Sequence, residues 1–444
     1  MSSHSVHAPP PVPGNAASSA SAALNARIFR RLMPLLVLSY VISFIDRTNI
    51  ALAKSHIEVD LGISAAAYGL GAGLFFLSYA LLEVPSNLIM HRVGARFWIT
   101  RIMVTWGLLS AGMAFITGET SFYVMRVLLG AAEAGLFPGV MLYLTYWFGR
   151  EERARAIGYF LLGVCIANIL SGPVGGALLQ MDGVLGWHGW QWMFVIEGLP
   201  AVALAWVVWK KLPDGPASAP WLTAAESREV LQRLQAEQDQ QAGAGQVGHS
   251  LRDCLRDRQI WLAILVYFCH QISIYTVIFF LPGIIGTYGQ LSPLQIGTLN
   301  SVPWIAAAIG AAWLPRFATH PQRCRRMLLA GLATMAAGLL VAALAGKASP
   351  ALGLLGFSLT ALMFFVVQSV VFLFPASRLA GAGLAGGIAL VNTCGLVGGF
   401  IGPTVMGMIE QATGSTRNGL FIMAGLLVVA ALASTRLRQG QETP

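Results

Sequence analysis

Charge is scarce in this sequence. Asp, Glu, Lys and Arg make up only 11% of the 444 residues, against 56% hydrophobic residues and a mean hydropathy of +0.67. Water-soluble domains carry roughly 25% charged residues, and a folded surface in water needs about that many. The deficit excludes a soluble globular protein and leaves lipid as the main solvent of the surface. Cysteine is rare too. Cys165, Cys254, Cys269, Cys324 and Cys394 show no CxxC pairing, so neither a disulfide framework nor a zinc site is expected. Four of them lie in or beside apolar runs, and Cys254 falls in a polar loop. No cofactor motif appears. Clustered His and Asp within one or two apolar runs are also missing, as is a soluble catalytic domain, and both absences argue against an enzyme. Residues 1–26 are rich in Ala, Ser and Pro without the apolar core of a signal peptide. They read as a disordered tail.

Long apolar runs are what the chain has in plenty. A spanning helix needs about 20 mostly apolar residues. Twelve runs qualify: 32–53, 67–90, 97–117, 121–147, 154–181, 190–210, 259–286, 294–316, 327–346, 350–375, 381–410 and 418–436. They are too long and continuous for barrel strands, so an all-α integral membrane protein is predicted. The 49 glycines suit close helix packing in lipid.

The net charge of +9 could indicate nucleic acid, but its distribution points elsewhere. With the N-terminus in the cytoplasm, cytoplasmic segments hold 22 of the 28 Lys and Arg residues. External segments hold only Lys54, Lys347 and Arg417. Arg47, Arg101 and Arg126 fall within spans. By the positive-inside rule both termini are cytoplasmic, and no nucleic-acid partner is needed to account for the charge.

A polar segment, 211–258, separates spans six and seven, and its charged stretch around Glu226–Asp239 reads as a short surface helix. The halves repeat. Gly172-Pro173 in span five recurs as Gly402-Pro403 in span eleven, at an offset of 230 residues. The basic loop at Arg92–Arg96 recurs at Arg323–Arg326. The predicted organisation is a tail (1–26), a six-helix bundle (27–210), a central cytoplasmic loop (211–258), a second six-helix bundle (259–436) and a short tail (437–444). Six-plus-six repeats around a cytoplasmic loop are the layout of major facilitator transporters.

Several stretches narrow this further. Span one reads YVISFIDRTN from Tyr40. Span two reads YALLEVPSNLIMHRVGAR from Tyr79, and span four reads RVLLGAAEAGLFPGVMLYLTYWF from Arg126. Span six carries WQWMFVIEGLPA from Trp190, and span eleven GGIALVNTCGLVGGFIGP from Gly386. Over nearly its whole length the chain resembles the anion:cation symporter family of the major facilitator superfamily. The Asp-Arg pair and the span-four string carry most of the specificity. One departure concerns the loop between spans two and three. Many major facilitators place an Asp before its basic residues, and His91–Arg96 lacks it. This argues against a drug-efflux relative. The resemblance implies a monomeric carrier in a bacterial inner membrane that takes up sugar acids, tartrate-like diacids or aromatic acids together with protons.

Charged residues deep in a span cost about 2.5–3.5 kcal/mol each on insertion scales, so each needs a reason. Asp46 and Arg47 are adjacent, and their side chains point about 100° apart on a helix. One can face a cavity while the other faces a neighbouring helix. Arg126 and Glu133 share one face of span four but sit seven residues apart, beyond direct pairing. Arg47 and Arg126 are the expected carboxylate contacts, because guanidinium offers a planar bidentate fork. Asp46 and Glu133 are the expected proton carriers. A carboxylate arriving at the arginines would compete with them and favour their protonation. The alternative for all four is structural pairing that holds the bundle. Tyr79, Gln271 and Asn392 are the foremost polar pocket candidates, ahead of His270, Tyr275, Gln368 and Ser369, with interhelical bonding as the competing role. Glu83 and Glu197 read as structural. The expected activity is import of a small organic carboxylate by proton symport. Organic-anion exchange or efflux in the same fold is the alternative, and a membrane-embedded enzyme a distant one.

Overall fold

The computed structural model describes residues 14–243, 251–318, 320–346, 348–379 and 381–438. Among them there is no strand. The expected tails at 1–13 and 439–444, and Lys347, lie outside the described residues.

Helices satisfy their own backbone hydrogen bonds within one segment in lipid, and the described residues build sixteen. The first bundle holds α1 (Gly14–Leu61), α2 (Ala65–Val93), α3 (Ala95–Gly112), α4 (Glu119–Glu133), α5 (Leu136–Thr145), α6 (Arg150–Leu179) and α7 (Gly189–Lys211). Two helices follow, α8 (Ala224–Gly243) and the short α9 (Leu251–Arg256). The second bundle holds α10 (Arg258–Gly286), α11 (Pro293–Trp313), α12 (Pro321–Ala345), α13 (Pro350–Val371), α14 (Leu373–Arg378), α15 (Gly381–Thr413) and α16 (Arg417–Ser434). Eleven segments among the described residues are long and apolar enough to cross a membrane, with α4–α5 and α13–α14 each counting as one. The expected span 294–316 is the 21-residue α11. Its first half carries Gln295, Thr298, Asn300 and Ser301, which lower its apolar content.

Three local differences from the sequence reading have physical causes. First, helix α1 begins inside the expected tail. Leu24 is buried, and Asn25 Nδ2 donates to Glu152 Oε1 at 2.8 Å, so residues 14–26 belong to the helix. Second, the run 121–147 is two helices. Pro138 has no N–H to give the Ala134 carbonyl four residues back. That carbonyl accepts from Ser86 Oγ at 2.8 Å instead, and Gly135 turns the chain at φ +93°. The break falls directly after Glu133. Third, Cys254 is buried in α9, where its thiol donates to the Gly383 carbonyl at 3.2 Å.

The segment between the bundles is ordered by contacts to both. Helix α8 lies against the first turns of α1. Arg233 donates to Ser21 Oγ at 3.0 Å and Asn25 Oδ1 at 2.8 Å, Arg27 pairs with Glu226, and Trp221 stacks on Trp147. The Thr223 amide, then the Arg27 guanidinium, hold the Glu226 carboxyl below the ordinary carboxylate range. Asp257 caps α10 and pairs with Arg378 at 2.8 Å.

The bundles meet where α2 packs on α15 and α6 on α11. Both contacts depend on glycine. A Cβ at Gly69 would strike the Pro403 carbonyl, and one at Gly172 or Gly297 would strike the opposing glycine's carbonyl. Small residues let backbones approach where side chains would hold them apart. The end of the molecule away from α8 is sealed further. Lys54 Nζ bridges Glu58 at 2.9 Å and Glu410 of α15 at 3.0 Å. Tyr68 donates to the Phe279 carbonyl at 3.0 Å. At the opposite end, which carries α8 and the basic loops, a cavity of about 610 Å³ separates the bundles.

Candidate functional site

Helix α1 crosses the molecule beside the cavity, and its helical period sorts its polar residues by direction. Arg47 lines the cavity, while its neighbour Asp46 points away from it, as the 100° step requires. Arg47 is only 7% exposed and is the one basic side chain among the described lining residues.

Three rings and one carboxylate hold that guanidinium. Its carbon lies 4.7 Å from the Phe44 ring centroid, 5.2 Å from Phe75 and 5.2 Å from Tyr79. Such contacts favour a cation where water is partly excluded. Glu133, at the end of α4, meets Arg47 Nη2 at 3.2 Å and Nε at 3.4 Å. Ser43 Oγ also donates to Glu133. Both contacts to Arg47 lie at the long end for charge-assisted bonds, which run near 2.7–2.9 Å. The pair leaves guanidinium capacity on the cavity side.

Arg126 stands elsewhere. It is 1% exposed, donates to the Gly71 carbonyl at 3.2 Å and the Ala72 carbonyl at 3.3 Å, and packs on the Phe75 ring at 4.9 Å. Phe75 therefore contacts both guanidiniums, and only Arg47 reaches the cavity. Asp46 accepts from Trp106 Nε1 at 2.9 Å and Ser110 Oγ at 2.7 Å, in the seam between α1 and α3.

The second bundle supplies the opposite wall. Gln271 and Tyr275 from α10, Gln368 and Ser369 from α13 and Asn392 from α15 line the cavity with Tyr79 and Glu83 from α2. Tyr275 stands beside Arg47 across the bundle interface. Gln368 Nε2 donates to Tyr267 Oη at 3.3 Å, which leaves its buried Oε1 without a partner. His270 is outside the cavity. It is fully buried, with Nε2 3.2 Å from the Phe364 carbonyl and Nδ1 3.1 Å from Gln271 Oε1.

Of the residues singled out in the sequence, Arg47, Tyr79, Gln271 and Asn392 thus share one cavity. Glu133 joins through Arg47, while Asp46 and Arg126 sit behind it. Sequence reasoning passed over Ser43, although it lies one turn before Arg47 on the same face of α1. It also passed over Tyr40, Asn168 and Tyr267, which line the cavity. Nothing in an apolar run marks a single tyrosine as facing a cavity rather than a neighbouring helix.

The sequence profile of the Major Facilitator Superfamily matches residues 36–403. A protein of Agrobacterium vitis called a putative tartrate transporter is 41% identical, over 93% of this chain and 94% of that one. A quinolone resistance transporter of Acinetobacter baumannii is 40% identical, over 93% of this chain and 95% of that one. A relative named for drug resistance thus stands as near to this chain as the named tartrate transporter, although the Asp missing before Arg92 argued against such a relative. Among solved structures, the inward open conformation of the xylose transporter XylE from E. coli superposes with a TM-score of 0.73 at 14% identity, over 93% of this chain and 97% of that one. That likeness concerns the fold.

Proposed function

We propose a cargo and a driving force for this chain, which belongs to the Major Facilitator Superfamily and is a multi-pass membrane transporter. It imports a small organic carboxylate by proton symport through alternating access. The observation that carries this reading is Arg47, the one arginine among the described residues that line the cavity, ion-paired on its far side to the buried Glu133.

The chemistry follows from competition. A carboxylate entering the cavity meets Arg47, whose planar fork binds such groups bidentately. It draws the guanidinium away from Glu133. A buried carboxylate that loses its cation is costly, by about 3–5 kcal/mol, and protonation removes that cost. Substrate and proton therefore favour each other's binding. Tyr79, Gln271 and Asn392 supply hydrogen bonds for the rest of the substrate, and the aromatic walls its apolar contacts. Arg126 and Asp46 enter in a second conformation. Arg126 would come forward past Phe75 as a second carboxylate contact, and Asp46 would exchange a second proton. The tartrate transporter among the relatives supports an acid as cargo.

The charge bias supports a cytoplasmic α8 and cytoplasmic termini, and on that reading this conformation faces inward. A bacterial inner membrane fits the organisms of the relatives. Reporter fusions after residues 240 and 440 should both read cytoplasmic.

Export is the second reading, favoured by the relative named for quinolone resistance. Proteoliposomes with an inward proton gradient separate the two. Symport predicts uphill accumulation and lumenal acidification in the wild type. Accumulation should be lost in Asp46→Asn and in Glu133→Gln, with substrate-for-substrate exchange kept in at least one of them. Proton-driven accumulation that survives in both mutants and in the double mutant would place coupling elsewhere. Wild-type transport that ignores the gradient would favour an exchanger or a uniporter.

A further inference from the structure

Glu197 of α7 has no role in the mechanism above, and its surroundings are unusual for a carboxyl group. It is 5% exposed, and both carboxyl oxygens are buried without a hydrogen-bond partner. Asn49 of α1 is 0% exposed, and both its amide atoms are also unpartnered. Its amide is turned to Glu197, close but outside hydrogen-bond geometry. Asp46 lies one turn earlier on α1 and within electrostatic reach of Glu197. Helix α6 closes the pocket with Gly175, where a Cβ would come 3.4 Å from Glu197 Oε1. Helix α3 closes it with Gly107 and Ser110, packed on Gly198. None of Asp46, Asn49 and Glu197 touches the substrate cavity.

Among the described residues, the charged groups that act on this pocket are acidic. Asp46 from α1 acts on Glu197, and Glu133 from α4 acts on Asp46. From α3 come only the neutral donors Trp106 and Ser110, both engaged with Asp46. From α6 comes glycine. Two carboxyl groups in reach of one another, with no cation between them, do not both ionise in a low-dielectric site. The donors decide between them. Asp46 receives two hydrogen bonds, which favour its charge, and Glu197 receives none, which favours the neutral acid.

We propose that Asp46, Asn49 and Glu197 form a proton-binding site behind the cavity, separate from Glu133, with the proton held on Glu197 in this conformation. Sodium fits poorly. It needs several free oxygens, and here the unpartnered ones are the two of Glu197 and one of Asn49. The use of this proton in transport rests on the symport reading; its presence does not.

Infrared difference spectroscopy on the purified carrier in liposomes, without substrate and across a pH series, tests the site directly. The wild type should show a protonated-carboxyl band near neutral pH that is lost in Glu197→Gln. Asp46→Asn should keep the band and lower its titration midpoint, because a like charge has been removed. A Glu197→Gln spectrum identical to wild type overturns the proposal. So does a wild-type band abolished by sodium chloride but not by choline chloride, which would make the pocket a sodium site. Should Glu197→Gln fail to fold, protein labelled with 13C-glutamate carries the test. A glutamic-acid band whose midpoint does not move on Asp46→Asn refutes the pair. A symport reading that fails in proteoliposomes would leave the band in place, so the two failures are distinguishable.

Discussion

Replacing Glu133 by glutamine gives the sharpest test of how Arg47 is used. In the wild type an incoming carboxylate competes with Glu133, which contacts Arg47 at 3.2 and 3.4 Å. A hydrogen bond to a charged group contributes about 1.5–3 kcal/mol, and these long contacts belong at the low end. Removing that competition should tighten carboxylate binding about tenfold at alkaline pH, since 1.4 kcal/mol is a factor of ten. The pH dependence should change as well. One linked proton lets wild-type affinity rise by at most about tenfold for each unit of falling pH. With glutamine at 133 the cavity behaves as though permanently protonated, so affinity should be high and nearly flat with pH. Unpairing a buried arginine costs up to about 3–5 kcal/mol. Arg47 also contacts three rings and the cavity, so the loss of stability should fall below that range. Calorimetric titration suits the measurement, using the tightest binder from a panel of hydroxy, sugar and aromatic carboxylates. Weaker binding in Glu133→Gln, or an unchanged pH slope, would refute the competition.

Arg47→Lys keeps the charge but not the fork, and affinity for the same acid should fall by about 1.5–3 kcal/mol; near-normal affinity would remove Arg47 as the anchor. Lys54→Met breaks the bridge from α1 to Glu410 of α15, so hydrogen exchange across 50–70 and 404–413 should accelerate as the sealed end loosens. Unchanged protection there would mean that the glycine contacts and the Tyr68 hydrogen bond seal that end without the bridge. Gly135→Ala forces φ +93° on a residue with a Cβ and drives that carbon into Ser86, so the thermal midpoint should drop by the equivalent of at least about 1–3 kcal/mol. A midpoint equal to wild type would show that the α4–α5 break tolerates a side chain.

The sequence alone determined the class of protein and the rough limits of most of its spans. These follow from sums along the chain. Lipid demands about 20 apolar residues per crossing, and any deep charge stands out against that background. Asp46, Arg47, Arg126 and Glu133 were visible for this reason, and the 100° step between Asp46 and Arg47 was legible from helix geometry. What the chain could not declare was where each charge points in three dimensions. Glu133 meets Arg47 because α4 ends at Glu133 itself, beside α1, a contact across 86 residues. Arg126 stays behind Phe75 because two α2 carbonyls hold it there. Glu197 looked like an ordinary structural residue until α1, α3, α6 and α7 closed around it and left its oxygens without partners. Such facts depend on how neighbouring helices rotate and approach. Glycines such as Gly107, Gly175 and Gly198 set that approach, through contacts that hydropathy and periodicity do not encode.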